Sequence, residues 1–591
     1  MELDIHIVEQ GGMVCQDMAY ATAAVALKRE YQLMYLKAWE FDFSLEHTFL
    51  SKNPKEFALY DSYEPEKQKS ICREYEQAIG KRVSAGNPDV ELMLEAFHGV
   101  KVVQKSAEDE NAYWNGILKQ LDKKIPVDMW FDQYYMPWTK QMRKKAPLRY
   151  QGYMMINGYD PLTEQISCID IHGTRQQESM PLSTFQEFLH QHQRFQYTTY
   201  EICNEGRLFD RNIFLTETLS RVYEKNECGY DMFAKMRGFA EYVRELFDLQ
   251  REIALSHETK GEIAAPTHLL CSKGLIEVSR MRNLFAVTLD YIATHENNDS
   301  FHTMSKKFKL LATKWQVLVS MIGKAYFKHS YDGLSVQLAE HIEKIAQMEE
   351  ALAGQFEELL QTTRDDAGEI VDCNSKKKRN GDDARKEHSG AEVHRDCVCT
   401  SCTVTDVYLD LGADVNNKAF SPDNRNVWNA DFDGLGNYLI LDEQMKQERF
   451  DCAAGRFLLR TGQKEKDNIC CNGQKITVEP AFYKEICILG ACDSGAFYGQ
   501  MQIQYEDGTS EDIILGFSEW RFGKCEFGDR SAWKGKRVYW NKISEEEMGY
   551  LFTTQIPLHE ARKVTGLRLP ECENMHLFAV TLRKLDQDQT R

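Results

Sequence analysis

Nowhere does this sequence hold the ~18 consecutive apolar residues that a membrane-spanning helix requires, so no membrane contact is expected. Its first residues, MELDIHIVEQ, lack a basic segment followed by an apolar run. No secretory signal is visible there, and a cytoplasmic location is expected. A disulfide framework is also missing. The 17 cysteines are an odd number, and most stand singly in apolar or strand-like surroundings, as buried reduced thiols do. Positive charge is short: the net charge is −19, which keeps the protein in solution and opposes nonspecific nucleic-acid binding. Cys397-Val-Cys399-Thr-Ser-Cys402 offers three thiols without a clear fourth ligand, so neither a metal nor a cofactor is expected.

What remains is a globular composition, 42% hydrophobic over 591 residues. A single core organises roughly 100–200 residues, so about three domains are expected. Residues 1–205 mix helical and strand patterns. Ala19 to Leu36 reads as a helix, and Pro126 to Asp132, Gly152 to Tyr159 and Gln165 to His172 read as strands. Residues 206–364 are helical. Leu338, Ile342, Ile345, Leu352, Phe356 and Leu359 form one apolar stripe, which needs a helical bundle to cover it. Residues 365–402 have little apolar content and read as a disordered linker. From 403 to 585 short strands with Gly-rich turns follow, including Glu506-Asp507-Gly508-Thr509, and they predict an antiparallel β-sandwich. The fold class is therefore multidomain α+β.

One chemical candidate stands near the start. Gln10-Gly-Gly-Met-Val-Cys15 places a cysteine at the opening of a helix. Unpaired N–H groups and the positive end of the helix dipole there favour a thiolate. Gln10 and the Cys15 amide are candidate donors to an oxyanion. A cysteine before a helix is more often structural than catalytic.

The order of the following motifs resembles the butirosin biosynthesis protein H family, which is related to C39-type and papain-like cysteine peptidases. In that family a Cys opens a helix. V-D-x-Y-Y-L-P follows, then H-[FY]-V-V-V-x-G-Y-D, then a strand ending in Asp. Here the corresponding stretches are Phe131-Asp132-Gln133-Tyr134-Tyr135-Met136-Pro137 and Gly152-Tyr153-Met154-Met155-Ile156-Asn157-Gly158-Tyr159-Asp160, with Asp170 closing the next strand. Arg282-Asn-Leu-Phe285 and Trp315 extend the likeness through the helical segment, to about residue 360. The resemblance implies a papain/C39-like domain with Cys15 as nucleophile and Asp170 as the orienting carboxylate. Gly152, preceded by Gln151, stands where the family has its histidine. His172, two residues beyond Asp170 on an extended strand, is the first substitute, with His6 and His98 behind it. The same residue also reads as part of a turn before Gly173.

By the same resemblance the chain acts in secondary metabolism, passing an acyl group from a carrier-protein phosphopantetheine thioester to an amine or aminosugar. Lys140, Arg143, Lys144, Lys145 and Arg149 form a basic run suited to an acidic carrier or its phosphate, or simply a solvated loop. Two alternatives stay open: a catalytically inactive interaction protein and a cysteine peptidase or amidase. The C-terminal part is similar to galactose-binding-like sandwich modules of bacterial glycoside hydrolases, on residues such as Asp431-Phe432-Asp433-Gly434-Leu435-Gly436 and Leu515-Gly516-Phe517-Ser518-Glu519-Trp520. That implies a possible carbohydrate ligand at Asp431, Asp433 and Trp520. The two aspartates also read as a plain turn, the favoured reading, and core is the more frequent fate of strand tryptophans such as Trp520 and Trp533.

Overall fold

Strand Val127–Asp132 is apolar or buried at nearly every position, and a strand covered on both faces must lie inside a sheet with helices on either side. The computed structural model describes residues 2–43, 83–139, 151–171, 174–250, 270–373, 404–539, 542–559 and 561–585. The chain divides into two compact units, Met1–Tyr242 with Lys273–Ala312 and Ile342–Glu357, and Val243–Ser272 with Thr313–His341 and Glu358–Arg591.

In chain order the first unit carries α1 (Cys15–Ala26), β1 (Asp42–Phe43), β2 (Val83–Ser84), α2 (Val90–His98), β3 (Val100–Ser106), α3 (Glu110–Asp122), β4 (Val127–Asp132), β5 (Gln151–Asp160), β6 (Gln165–Asp170), β7 (Gln177–Pro181), α4 (Leu182–His192), β8 (Gln196–Ile202), α5 (Arg211–Val222) and most of α6 (Met232–Leu246). Three long helices follow, α7 (Leu270–Glu296), α8 (Asp299–Lys328) and α9 (Leu334–Cys373), each contributing residues to both units.

The larger sheet of this unit runs β3-β8-β4-β5-β6-β7 with antiparallel pairings throughout. One face buries Val127, Met129 and Phe131 of β4 with Met154 and Ile156 of β5. Tyr113 and Ile117 of α3 and Phe185 and Phe188 of α4 cover them. The opposite face receives α1: Tyr20 meets the ring of Tyr200 edge-on at 6.4 Å, and Tyr200 bonds to Asp128. Alternation along a strand puts Asp128 on the face away from Val127 and Met129.

The expected helix from Ala19 to Leu36 is shorter and earlier. It starts at Cys15 and stops at Ala26, followed by a 3-10 turn over Gln32–Tyr35. Lys28 takes a left-handed conformation (φ 60°), and its N–H reaches Val25 O at 2.9 Å. This closes the helix without glycine, which propensity alone does not reveal. The Asp160-Pro161 turn forms as read, with Asp160 accepting from the Leu162 N–H at 3.0 Å.

The helical stripe is also where the sequence put it. Leu338, Ile342, Ile345, Leu352 and Phe356 are buried, Leu360 joins them, and Leu359 is half-buried. Within the first unit these helices close on Trp39, whose ring lies 4.8 Å from Phe308 and 5.3 Å from Phe356. Its Nε1 donates to Glu349 Oε2 at 2.8 Å. Glu349 and Arg282 are both fully buried and form a bidentate pair, with Nε to Oε1 at 2.9 Å and Nη2 to Oε2 at 2.9 Å. The third guanidinium nitrogen of Arg282, Nη1, donates to Glu40 O at 2.6 Å.

The second unit holds the C-terminal β-sandwich. Its strands are β9 (Val404–Tyr408), β10 (Phe420–Ser421), β11 (Tyr438–Ile440), β12 (Arg449–Cys452), β13 (Gly455–Leu458), β14 (Ile469–Asn472), β15 (Lys475–Cys492), β16 (Phe497–Tyr505), β17 (Ser510–Phe517), β18 (Arg530–Tyr539), β19 (Lys542–Pro557), β20 (Lys563–Arg568) and β21 (Glu571–Leu585). Long β15 serves two partners in succession. Its first half pairs with β20, and its second half with β19 and β21. The Gly508 turn joins β16 to β17 as expected, with Gly508 at φ 80°. The core includes Phe420, Phe432, Ile486, Leu489, Trp520 and Phe552, and Val317 of α8 packs into it. The expected linker over 365–402 falls on the end of α9 up to Cys373 and, beyond it, outside the described residues. The thiol cluster 397–402 lies there too.

Removing one member of the Arg282–Glu349 pair leaves the other charge buried without its counter-ion. Glu349→Gln or Arg282→Met should therefore each cost about 3–5 kcal/mol in urea unfolding, and the double replacement Arg282→Met with Glu349→Leu should recover most of that loss. Single variants as stable as the wild type would contradict this account of the pair.

Candidate functional site

Cys15 is the first residue of α1 and is half-buried. Val14 precedes it in extended conformation without a side-chain cap. Asp17, in the first turn, reaches back to the Val14 N–H, as the third-position acid of a capping box does. Burial drives the Asp17 carboxyl up to about 6, against the pull of Arg280. Burial likewise pushes the Cys15 thiol above its ordinary value. Its own backbone N–H and Arg175 act the other way, and the carboxylates of Asp170 and Asp17 add to the rise. The helix terminus thus offsets the desolvation of the thiol without overcoming it.

Asp170 is fully buried at the end of β6. It accepts from Trp138 Nε1 at 2.9 Å and from the Thr174 N–H at 3.0 Å. Its negative charge is one of the causes that raise the Cys15 thiol. Arg175 lies in the turn after β6, at φ 54°, ion-paired with Glu9. Gly152 lies on β5 opposite Phe131, and a Cβ there would meet Met136 Cε at 3.1 Å and Gln133 Cγ at 3.5 Å. His172 lies outside the described residues, as do Lys140, Arg143, Lys144, Lys145 and Arg149. Gln10 is exposed and its side chain engages the Tyr31 hydroxyl. His6 is exposed beside Asp4, 3.7 Å away. His98 is buried, accepts from the Leu33 N–H at 3.1 Å, and is held down at about 4 by that burial. It is a structural histidine.

Sequence reasoning missed Asp128, Tyr153 and Arg175. Asp128 is buried and bonded to Tyr200, and burial lifts its carboxyl to about 7. Tyr153, half-buried on β5, is raised by burial and then by the nearby Asp128 and Cys15. The register pairs Trp130 with Tyr153 and Asp128 with Met155, so Asp128 and Tyr153 share the face that α1 covers. The motif read across this region drew attention to Gly152, one residue away and on the other face of the strand.

In the sandwich, Asp431 Oδ1 accepts from the Gly436 N–H at 2.8 Å, and Asp433 accepts from the Leu435 N–H at 2.9 Å and Asn437 Nδ2 at 2.8 Å. Both carboxylates stitch the Gly-rich loop, as a turn requires. Burial lifts the Asp433 carboxyl to about 6. Trp520 is fully buried, 5.0 Å from the Phe432 ring, and presents no face to a sugar. Trp533 is buried as well, and its Nε1 donates to Asp442 at 2.8 Å.

A different polar centre fills this unit. Asp493 accepts from Asn574 Nδ2 at 2.7 Å and from Lys324 Nζ at 3.0 Å, and His576 Nε2 lies 2.9 Å from its Oδ2. Burial would lift the Asp493 carboxyl, but Lys324 and His576 outweigh it and hold it at about 2. Among the described residues no group of His, Cys, Asp and Glu is arranged to hold a metal ion, and no helix is long and apolar enough to cross a membrane.

A family model described as the AziU2-like beta-sandwich domain matches residues 405–586, almost the whole sandwich. No curated protein matches the chain.

The raised Asp128 carboxyl has a consequence for stability. In the folded chain it keeps its proton up to about 7, whereas an unfolded aspartate loses it near 3.9. Between those values the folded state binds more protons, so stability falls as pH rises through the window. Asp128→Asn should therefore stabilise the protein at pH 8 by about 2–4 kcal/mol relative to wild type and change little at pH 4. Urea midpoints at the two pH values check this, and a parallel shift at both would refute it.

Proposed function

We propose that this chain serves natural-product biosynthesis by taking an acyl group from a carrier-bound thioester onto Cys15 and passing it to an amine. The observation that carries the reading is the position of Cys15 on the first turn of α1, where the charges of Asp170 and Arg175 act on its thiol in opposite directions. The AziU2-like sandwich supports the biosynthetic setting. The likeness of the N-terminal motifs to the butirosin biosynthesis protein H family supports the acyl-transfer chemistry, with a papain/C39-like domain as its frame.

In the first step the Cys15 sulfur gives up its proton and attacks the thioester carbonyl. A new carbon–sulfur bond forms, the carrier's breaks, and the carrier thiol leaves with a proton. In the second step an amine nitrogen attacks the acyl-Cys15. The carbon–nitrogen bond forms, the carbon–sulfur bond breaks, and the proton lost by nitrogen returns to sulfur. Exchange between two thiols of similar basicity needs no protonated amide leaving group, so it is less demanding than peptide cleavage. The acidic carrier is expected to dock on the basic run Lys140 to Arg149. The raised thiol favours one second reading, a binding protein that holds the carrier without turnover.

Intact-mass analysis with aminoacyl-carrier thioesters separates the two. Acyl transfer predicts an adduct on wild type that Cys15→Ala abolishes, and a wild type without an adduct defeats it. Because the thiol is raised, the rate of Cys15 alkylation by iodoacetamide, read by peptide mapping, should still be climbing above pH 9. A plateau below pH 8 would contradict the description of the thiol. Lys144→Glu with Lys145→Glu should weaken carrier binding at least about tenfold if that run docks it.

A further inference from the structure

Two residues of α7 hold the strap that leads into Cys15. Arg280 and Asn283 are three apart and so share a helix face. Arg280 Nε donates to Gly12 O at 2.6 Å, and Asn283 Nδ2 donates to Gly11 O. A second guanidinium nitrogen of Arg280 lies 3.6 Å from Asp17 Oδ2, the carboxylate that also takes the Val14 N–H. Contacts to Gly11, Gly12 and Asp17 therefore fall on both sides of Cys15 in the chain. The strap fits closely. Gly12 sits at φ 95°, and a Cβ on it would come 3.2 Å from Arg280 O.

In a trans peptide the C=O and the following N–H point in opposite directions. Fixing Gly11 O on Asn283 therefore turns the Gly12 N–H away from α7. Fixing Gly12 O on Arg280 turns the Met13 N–H away as well, and Gln10 O takes that one at 3.1 Å. The Gly12 N–H donates to none of the described residues. It is a backbone donor set in a fixed direction three residues before the nucleophile.

We propose that Arg280 and Asn283 are positioning residues that hold the Gly11 and Gly12 carbonyls against α7, so that the Gly12 N–H receives the oxyanion formed when Cys15 attacks a thioester. The inference rests on the acyl-transfer reading of Cys15. It replaces the Gln10 side chain, which is turned to Tyr31, with a main-chain donor. A donor held in advance toward the developing charge stabilises the transition state and does little for the ground state.

The test compares two reactions of the same sulfur. Acylation by a thioester passes through an oxyanion, and alkylation by iodoacetamide does not. Asn283→Leu should lower the rate of Cys15 acylation by an aminoacyl-carrier thioester about 10- to 100-fold, while alkylation at pH 9 changes less than about twofold. Asn283→Asp, isosteric but repelling the Gly11 carbonyl, should do the same and guards against a packing defect in the leucine variant. Equal losses in both reactions would reduce the pair to a structural support and overturn the inference, as would acylation at the wild-type rate. A wild type that is never acylated sinks the acyl-transfer reading, and this inference with it.

Discussion

The first unit depends on a charge pair with no access to water. Arg282 and Glu349 are fully buried, joined by two short hydrogen bonds, with Trp39 and Glu40 completing their partners. Taking both charges out of water is costly, and the cost is recovered only in one geometry. That geometry fixes the rotation of α7 about its axis. With Arg282 directed into the core, Arg280 and Asn283 are carried round to the strap before Cys15. The strap before the candidate nucleophile is thus held by a helix far from it in sequence, whose rotation the ion pair sets together with the buried Leu284, Phe285 and Leu289.

The sandwich solves a similar problem differently. Asp493, Lys324, His576 and Asn574 share one buried network in which every carboxylate oxygen has a donor. The neighbouring Asp433 meets its donors from its own loop, so its carboxyl stays high where that of Asp493 is held low. Two aspartates at comparable depth differ because one faces the Lys324 ammonium and the His576 ring, and the other faces amides. Trp520 is consumed in the apolar core beside this network.

Much of the architecture was legible in the sequence because it rests on periodicity. The stripe from Leu338 to Phe356, strand β4 and the Gly508 turn all follow from spacing or from one residue's conformational needs. The end of α1 was not legible, because Lys28 adopts a left-handed conformation that composition does not announce. The site was half legible. Cys15 opens a helix and Asp170 closes a strand, as the motif order expected. Arg175 and Asn283 reach the site through a turn and a helix face, and no local pattern marks them. Asp128 looked like an ordinary strand residue. Its titration behaviour is created by the helix packed over it. The same limit applies to Gly152 and Tyr153, since a motif records order along the chain and strand register decides which face each residue takes.

The pairing of β9 with β21 bears on how the protein is made. Tyr408 on the first strand of the sandwich bonds beside Thr581 on the last. During synthesis β9 leaves the ribosome long before its neighbour exists, and it waits as an unpaired edge. Contacts this distant along the chain are slow to form, and exposed strand edges are prone to wrong partners in the interval. The same adjacency brings both ends of the sandwich to one place, which is the arrangement that lets a module be spliced into unrelated chains without disturbing either partner.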